Sequence, residues 1–341
     1  MENMVKIMGK VLVTGHLGYI GPHLVEILKQ KGHYVVGCDL GFFENSFVDT
    51  FVRPDKEWKQ DFRSLTTEQL QDIDTVMHLA AISNDPMGDI DPSLTYSINL
   101  EGTIDFAQKC KDAGVSRFLL SSSCSIYGKG ESLDLDESAS LNPLTAYAKS
   151  KIESEKAISQ MGDENFTVAF LRNSTAYGYS PSFRIDLVVN NLLACAFSKG
   201  EIQIKSDGEP WRPLIHCKDI ARAFAAFEDA PREAIHKKAV NIGGNNENYQ
   251  VKDVASRVKK SLTDASIVFT GEVGNDPRNY RVNFDLLSNV IPDFKLEYTL
   301  SSGMVELHEK LEKMNFSAED FDGKKFVRLR LLKDFLADNK I

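Results

Sequence analysis

The sequence lacks the features that would place the protein in a membrane or in an oxidising compartment. Its 341 residues contain no run of about 18 apolar residues, the length that a membrane-spanning helix needs. The first residues, MENMVKIMGK, lack the apolar segment of a secretory signal. The five cysteines are scattered and form no C-x-x-C pair, so a disulfide framework is not expected. We therefore expect a cytoplasmic protein with no membrane partner.

Signatures of metal binding, nucleic-acid binding and nucleotide hydrolysis are also missing. The seven histidines show no H-E-x-x-H or similar spacing, so no metal is expected. The net charge of −9 disfavours a general nucleic-acid binder, because phosphate contacts need a basic surface. The P-loop pattern G-x-x-x-x-G-K-[ST] does not occur, so nucleotide hydrolysis is not indicated. A local basic site for one diphosphate remains compatible with this composition.

The first half of the chain alternates strand-like and helix-like segments. The predicted strands are Lys10–Thr14, His33–Asp39, Thr75–Leu79, Arg117–Ser122 and Thr167–Arg172, and the predicted helices are Gly21–Lys31, Thr95–Ala113 and Ala146–Gln160. Continuous apolar strands that alternate with helices indicate a parallel sheet covered on both faces. We predict an α/β fold with a Rossmann-like, doubly wound parallel sheet and a smaller C-terminal α/β lobe that binds substrate.

The second half is less regular. We predict helices over Asp186–Phe197 and Asp219–Glu228 and strands over Ile202–Lys205 and Ala239–Ile242. The segment FVRLRLLKDFL near the C-terminus is interpreted as a surface helix packed by its leucines rather than as a membrane or partner helix.

A glycine-rich turn follows the first predicted strand. The segment VLVTGHLGYIGPHL places Gly15, Gly18 and Gly21 between that strand and the next helix. One glycine permits the tight turn, one lets the backbone approach a pyrophosphate, and one lets the helix pack on the strand. The N-terminus of the helix offers free N–H groups and a partial positive charge to an anion. The spacing is G-x-x-G-x-x-G, and its strand–turn–helix context predicts a dinucleotide site.

Asp39 stands at the end of the second predicted strand, about 20 residues beyond the glycines. An acid at this position can bind the ribose hydroxyls of an adenosine, and its charge would repel a 2′-phosphate. Position 17 within the turn is Leu, so it offers no compensating cation. The sequence therefore predicts NAD rather than NADP.

Tyr147 and Lys151 lie four residues apart in the predicted helix TAYAKSKIESEK, so their side chains share one face. An ordinary tyrosine has a pKa of about 10, and a neighbouring ammonium lowers it by stabilising the phenolate. Tyr147 could then remove a hydroxyl proton while a hydride leaves the same carbon. Ser123, in the strand end SSSCSIYG, could hydrogen-bond the reacting oxygen.

Together these residues resemble the extended short-chain dehydrogenase/reductase family, and in particular its nucleotide-sugar epimerases and dehydratases. The resemblance runs from about Val11 to Asp285. Its elements are the glycine turn, HLAA (78–81), NLEGT (99–103), SSSCSIYG (121–128), YAKSK (147–151), LRNSTAYG (171–178) and WRPLIHCKDIARA (211–223).

The resemblance implies a set of site residues. Catalysis is assigned to Ser123, Tyr147 and Lys151. Contacts to NAD are assigned to Gly15, Gly18, Tyr19, Ile20, Gly21, Asp39, Asp61, Phe62, Leu79, Ala80, Ala81, Asn99, Tyr147 and Lys151. Substrate contacts are assigned to Ser83, Ser123, Thr175, Arg212 and Arg278, with the two arginines on the diphosphate. Arg281 is the alternative to Arg278, and surface salt bridging is the alternative role for these arginines.

The departures from the family pattern concern the reaction. The family's 4,6-dehydratases carry Asp-Glu after the catalytic serine or threonine, and this chain has Cys124 and Ser125. Its 3,5-epimerase/reductases carry a cysteine where Ser125 stands, and Cys124 is expected to be packed rather than catalytic. Thr175 replaces a common Asn, and Tyr179 replaces a common Pro, so the sugar contacts are expected to differ from those of galactose-type epimerases.

The leading hypothesis is an NAD-dependent nucleotide-sugar epimerase. The alternatives are an NAD(H)-dependent nucleotide-sugar dehydrogenase or reductase, a disfavoured 4,6-dehydratase, and a non-catalytic NAD-binding regulator. Residues 8–175 are expected to form the NAD-binding domain, with 215–245 returning to it. Residues 176–214 and 246–341 are expected to form the substrate-binding lobe and tail. The resemblance also implies a homodimer formed through the helices near Thr95–Ala113 and Ala146–Gln160.

Overall fold

A computed structural model describes residues 8–83, 91–129, 134–261, 264–270 and 278–338. Its strands are β1 (Lys10–Thr14), β2 (Tyr34–Cys38), β3 (Lys56–Trp58), β4 (Thr75–His78), β5 (Arg117–Ser123), β6 (Thr167–Asn173), β7 (Thr175–Tyr177), β8 (Glu201–Ile204), β9 (Trp211–His216), β10 (Lys238–Ile242), β11 (Asn248–Gln250) and β12 (Ser266–Phe269).

The helices of the described residues alternate with these strands. They are α1 (Gly21–Gln30), α2 (Thr67–Leu70), α3 (Pro92–Tyr96), α4 (Thr103–Asp112), α5 (Ala146–Met161), α6 (Val188–Lys199), α7 (Cys217–Asp229), α8 (Arg232–Ile235), α9 (Val251–Ser261), α10 (Asp285–Val290), α11 (Leu300–Lys313), α12 (Ala318–Asp322) and α13 (Arg328–Ala337). A π-helical turn, Ser97–Gly102, joins α3 to α4. Short 3-10 turns cover Glu44–Ser46, Phe62–Ser64, Cys124–Tyr127 and Asn245–Glu247.

Seven parallel strands form the main sheet in the order β10-β6-β5-β4-β1-β2-β3. The chain starts in the interior at β1, moves outward through β2 and β3, and then crosses back to β4 and beyond. Val13 of β1 pairs with Gly37 on one side and Met77 on the other. This order is that of a doubly wound sheet, and it confirms the predicted α/β Rossmann-like class.

Alternate residues of the strands fill two cores, one on each face of the sheet. Val11 and Val13 face α1 and α7, where Leu24 and Phe224 pack. Leu12 points to the opposite face, where Phe106 of α4 belongs to the same cluster. Because both faces are covered, the central strands are buried along their whole length, as the apolar runs predicted.

A second, smaller body follows β6. It contains the pair β8–β12, the three-stranded sheet β11-β9-β7, and a core in which α6, α9 and α11 contribute apolar side chains. Its core is separate from those of the main sheet and includes Phe183 and Leu307. The described part of the chain has no helix both long and apolar enough to cross a membrane.

Helix α13 is a surface helix packed by its leucines, as the sequence predicted, with Leu329, Leu332 and Leu336 facing inward and Lys333 exposed. Its Leu332 is buried against Ile82, in a cluster that also includes Phe43, Leu94 and Ile98 from the loops and helices beside the main sheet. The helix forms where the sequence predicted, and its inner face lines the central cleft of the molecule.

Candidate active site

A cleft of about 1170 Å³ opens at the carboxyl ends of the main-sheet strands and continues along the smaller body. Ligands of open α/β sheets bind at this edge, where the strand order reverses. The structure brings most of the predicted site residues together on its walls: Gly15, Gly18, Tyr19, Ile20, Asp39, Asp61, Phe62, Leu79, Ala80, Ala81, Ser83, Ser123, Tyr147, Lys151, Thr175, Arg212 and Arg278. Gly21 and Asn99 are not among the lining residues.

The glycine turn is shaped by close backbone contacts. Gly15 has φ +75°, and a Cβ there would lie 2.8 Å from the backbone nitrogen of Ala80. A Cβ on Gly21 would lie 2.3 Å from the carbonyl oxygen of His16, so Gly21 serves the packing of α1 on the turn rather than the cleft wall. Helix α1 has no side-chain cap at its N-terminus. Its first N–H groups are therefore available to an anion in the cleft.

Asp39 braces this turn from the end of β2. One carboxylate oxygen accepts the N–H of Leu17 at 3.1 Å, and the other accepts the N–H of Gly41 at 2.8 Å. Asp39 also lines the cleft, so its remaining lone pairs can accept hydroxyl protons of a ribose. Asp61 is engaged differently, because its carboxylate holds the guanidinium of Arg63 at 2.6 to 3.1 Å.

The side chain of Asn99 forms hydrogen bonds with the backbone of the segment that follows β4. Its side-chain amide accepts the N–H of Ile82 and donates to the carbonyl of Ile82, both at 2.9 Å. Asn99 lies in the π-helical turn, which brings its buried side chain to the segment that follows β4. Any effect of Asn99 on a bound cofactor would pass through the position of Ile82, which lines the cleft.

Tyr147 and Lys151 lie on the first turns of α5, as their spacing predicted. Thr145 caps this helix by accepting the N–H of Ala148 at 3.1 Å. The ammonium nitrogen of Lys151 lies 5.7 Å from the centre of the Tyr147 ring. Burial lowers the pKa of Lys151 to about 8, against the opposing charge of Glu155. The ammonium is thus close enough to stabilise a Tyr147 phenolate electrostatically.

A buried ion pair fixes α5 on the sheet behind these two residues. The carboxylate of Glu155 lies 2.7 Å from Nη2 of Arg172 on β6, and both side chains are almost fully buried. Ser122 of β5 donates to the same carboxylate. Since Tyr147, Lys151 and Glu155 recur at intervals of four residues, this contact sets the rotation of the helix face that carries Tyr147 and Lys151.

Cys124 is packed beneath the cleft. It is 1% exposed, and its Sγ donates to the carbonyl of Arg172 at 3.1 Å. Burial raises the pKa of this thiol well above its ordinary value, so it is held as a thiol. Ser125 faces the cleft, and its N–H donates to Oγ of Ser123 at 3.1 Å.

The two arginines predicted to bind the substrate diphosphate, Arg212 and Arg278, both line the cleft. Nη1 of Arg212 donates to the carbonyls of Trp211 at 2.8 Å and Arg278 at 2.5 Å, and its guanidinium lies 5.9 Å from the Tyr280 ring. Arg278 also lines the cleft, whereas Arg281 stacks on Trp211 at 4.9 Å and is not among the lining residues. This placement favours Arg278 over Arg281 as the partner of Arg212.

Two further arginines line the cleft and were missed by the sequence analysis. Arg184 follows β7 in a loop, and Arg328 begins α13. Both are buried, with 7% exposure. The sequence offered only a weak signal for them, since an arginine in a loop or a basic tail is most often at the surface.

The cleft fits a dinucleotide in its chemistry as well as its position. The uncapped N-terminus of α1 and the buried cation of Arg328, whose Nε has no hydrogen-bond partner among the described residues, suit a diphosphate. Asp39 suits an unphosphorylated ribose, and Tyr147 with Lys151 suits proton transfer beside a hydride acceptor.

Comparisons with known proteins identify the family of the chain. The model of the NAD-dependent epimerase/dehydratase family matches residues 11–243. A UDP-glucose 4-epimerase from Lactobacillus helveticus is 33% identical over 298 residues, which cover 79% of this chain and 86% of that protein. A crystal structure of a UDP-glucuronic acid 4-epimerase from Bacillus cereus, in complex with UDP-glucuronic acid and NAD, has a TM-score of 0.76 and 25% identity, covering 89% of this chain and 99% of that one.

A second similar structure is an NAD-dependent NDP-hexosamine 5,6-dehydratase, TunA, with a TM-score of 0.80 and 23% identity over 92% of this chain and 99% of that one. At this identity the likeness concerns the fold alone. The glycine turn, the Tyr147–Lys151 pair and the family match over residues 11–243 lead to one assignment: the chain belongs to the NAD-dependent epimerase/dehydratase family.

Proposed function

We propose that the protein is an NAD-dependent epimerase of a nucleotide-linked sugar, most simply a UDP-hexose or UDP-hexuronate inverted at C4. The observation that carries this proposal is that the walls of one cleft hold Tyr147, Lys151 and the glycine turn together with Arg212 and Arg278. The named activities of the UDP-glucose and UDP-glucuronic acid 4-epimerases supply the choice of nucleotide and carbon.

Each residue has a defined task in this proposal. Arg212 and Arg278 bind the substrate diphosphate, because a guanidinium matches phosphate oxygens with paired donors. Ser123 hydrogen-bonds the reacting hydroxyl, and Tyr147 removes its proton with the charge of Lys151 stabilising the phenolate. The chemistry that NAD supplies when bound is reversible hydride transfer. Tyr147 returns the proton once the keto-sugar has turned over in the cleft.

The placement of Cys124 and Ser125 argues against elimination of water. A dehydratase needs an acid and a base beyond the Ser–Tyr–Lys group, and here one of the two candidate positions is a buried thiol. A net dehydrogenase or reductase remains the second candidate, since it uses the same three residues. The two reactions differ in whether NAD is regenerated within each turnover.

We also propose a cytoplasmic homodimer in which residues 8–175 and 215–245 bind the cofactor. Residues 176–214 and 246–341 would then bind the nucleotide sugar. The expected dimer contact uses α4 and α5, the two helices in the predicted ranges Thr95–Ala113 and Ala146–Gln160.

The deciding experiment incubates the purified protein, without added cofactor, with UDP-glucose, UDP-galactose, UDP-glucuronate and UDP-N-acetylglucosamine in turn. We expect one of them to be converted to a mixture with its C4 epimer, resolved by chromatography, with no net change in the near-ultraviolet absorbance of NADH. Conversion that requires added NAD and accumulates NADH in step with product would instead establish a dehydrogenase. A product lighter by one water would establish a dehydratase.

A further inference from the structure

Arg184 and Arg328 place two buried positive charges on the cleft wall near the glycine turn, where none was predicted. Arg184 is paired with Asp186 at 2.9 Å, which neutralises it locally. Arg328 makes weaker contacts. Its Nη2 donates to Oγ of Ser182 at 2.8 Å, and its guanidinium lies 4.2 Å from the Phe43 ring. The carboxylates of Asp186 and Asp39 also act on Arg328, but no carboxylate hydrogen-bonds its guanidinium among the contacts of the described residues, so it can accept an anion.

The electrostatics of Arg328 point the same way. Its Nε is buried without a hydrogen-bond partner among the described residues. Burial, followed by the nearby charge of Arg184, lowers the pKa of Arg328 to about 9. The charges of Asp186 and Asp39 offset this only in part, and the described residues supply no acceptor for Nε of Arg328. An oxyanion that entered the cleft here would restore both the missing charge and the missing acceptor.

The surroundings decide which anion this is. Arg184 lies 6.0 Å from the ring of Tyr19, a residue of the glycine turn, and Phe43 follows Asp39 in the loop after β2. The negative charge of Asp39 also acts on Arg328. These neighbours belong to the glycine turn and to the end of β2, the elements predicted to bind NAD. Arg212 and Arg278 are the arginines predicted to bind the substrate diphosphate instead.

Helix α13, which carries Arg328, also forms part of the cleft wall. Leu332 packs on Ile82 after β4, and Phe335 lies 5.1 Å from Phe42 after β2. The helix therefore reaches across the carboxyl edge of the sheet, from the loop after β2 to the segment after β4. A group bound between the glycine turn and Arg328 would lie beside this helix and the apolar contacts that hold it in place.

We propose that Arg328, assisted by Arg184, binds the diphosphate of NAD, and that α13 is a strap that retains the cofactor from one turnover to the next. The retention half rests on the proposed function, because an epimerase regenerates NAD in place and gains from keeping it, whereas a dehydrogenase must exchange it. The contact between Arg328 and the diphosphate concerns binding alone and does not depend on which reaction the protein catalyses.

The test compares Arg328→Gln with Lys333→Gln, which removes a positive charge from the exposed side of the same helix. Each protein is purified, its NAD content is measured after denaturation, and NAD and UDP affinities are measured by calorimetry on protein stripped of cofactor. We expect Arg328→Gln to lose its copurifying NAD and to bind NAD about 10- to 100-fold more weakly, the usual cost of losing a hydrogen bond to a charged group. UDP affinity should be unchanged, and Lys333→Gln should match the wild type in both.

Arg212→Gln supplies the reciprocal control, because it should weaken UDP binding and leave NAD binding intact. NAD affinity within twofold of wild type in Arg328→Gln would overturn the proposal, as would equal losses for NAD and UDP. If Arg328→Gln does not fold, Arg328→Lys keeps the charge but loses the forked donor. An intermediate NAD affinity then supports the proposal, and an unchanged affinity overturns it.

These measurements separate the inference from the proposed function, since no sugar is present in them. Weaker NAD binding by Arg328→Gln, in a protein that epimerises none of the sugars tested, would refute the function and keep the diphosphate contact. Epimerase activity of the wild type, combined with an unchanged NAD affinity in Arg328→Gln, would support the function and refute the diphosphate contact.

Discussion

At the scale of single residues, the juxtaposition of Tyr147 and Lys151 was predictable and its electrostatic setting was not. The spacing of Tyr147 and Lys151 requires only a helix to bring them onto one face, and α5 forms there. The lowered pKa of Lys151 depends on burial by residues distant in sequence, which no local pattern encodes. The same is true of Arg328, whose neighbours Ser182 and Phe43 lie far along the chain.

The first prediction concerns the phenol of Tyr147. Tyr147→Phe removes the group that accepts and returns the proton, so kcat for sugar conversion should fall about 10²- to 10⁴-fold. NAD affinity should change little, because the ring and Lys151 remain. Rate measurement by chromatography and calorimetry with NAD check the two halves.

Tyr34→Phe is the matched control for that prediction. This substitution also removes a tyrosine hydroxyl, but Tyr34 lies at the start of β2, at the opposite end of the strand from Asp39. The variant should therefore keep the wild-type rate. A Tyr147→Phe enzyme that retained more than a tenth of the wild-type rate would remove Tyr147 from its catalytic role.

At the scale of elements, the strands of the main sheet were the best predicted feature. Burial on both faces makes them continuous apolar runs, and β1, β2, β4, β5 and β6 form within one residue of the predicted bounds. The edge strand β3 (KEW) was missed because it has no apolar run and pairs on only one side. The three-residue strands β7 and β11 were missed because they are defined by their pairing with β9 rather than by any pattern of their own.

The glycine turn supports a prediction at this scale. Gly15 and Gly200 have similar backbone angles, φ +75° and +69°, but a Cβ on Gly15 would meet backbone atoms of Ala80, whereas nothing lies within 4 Å at Gly200. Gly200→Ala should therefore cost only the left-handed backbone strain, about 1 kcal/mol of unfolding free energy. Gly15→Ala should cost about 1–3 kcal/mol more, because the turn must shift to relieve the overlap.

Denaturant unfolding measures the difference in unfolding free energy between the two variants. NAD titration of the same proteins shows whether the change at Gly15 reaches the cofactor site. Gly15→Ala should also weaken NAD binding, since the shifted turn no longer presents the N-terminus of α1, while Gly200→Ala should bind as the wild type does. Equal stabilities for the two variants would mean that the close approach of Gly15 to Ala80 does not constrain the turn.

At the scale of the whole molecule, contacts between distant segments join the smaller body to the main sheet. Tyr19 of the glycine turn donates to the carbonyl of Gly178 and accepts from Asn190 of α6 at 3.0 Å. Ser46 donates to the carbonyl of Lys325 at 2.7 Å, across 279 positions of sequence. Such pairings follow from the packed fold and not from local patterns, which is why the sequence predicted a second lobe but neither its strand pairing nor the course of α13.

Glu306 makes one of these contacts between distant segments, and its titration predicts how the stability of the fold depends on pH. It lies on α11 of the smaller body, with Oε2 at 2.9 Å from Nε2 of His216 and Oε1 paired with Lys218 on α7, which packs against α1. Burial alone would raise the pKa of Glu306, but the hydrogen bonds from His216 and Lys218 outweigh it and lower the pKa to about 2.

A carboxylate with a lowered pKa in the folded state stabilises the fold above its unfolded pKa, because the unfolded chain binds the proton first as pH falls. The contribution of Glu306 should thus be complete above pH about 5 and disappear between about 5 and 2. Glu306→Gln should lower the free energy of unfolding by about 1–2 kcal/mol at neutral pH, a figure reduced by solvent screening of a partly exposed group. Glu309→Gln, on the exposed side of the same helix, should cost less than about 0.5 kcal/mol. Urea unfolding of the wild type, Glu306→Gln and Glu309→Gln from pH 7 to pH 3 tests this. If the loss of unfolding free energy in Glu306→Gln stayed constant over that range, the charge of Glu306 would not stabilise the contact between α11 and α7.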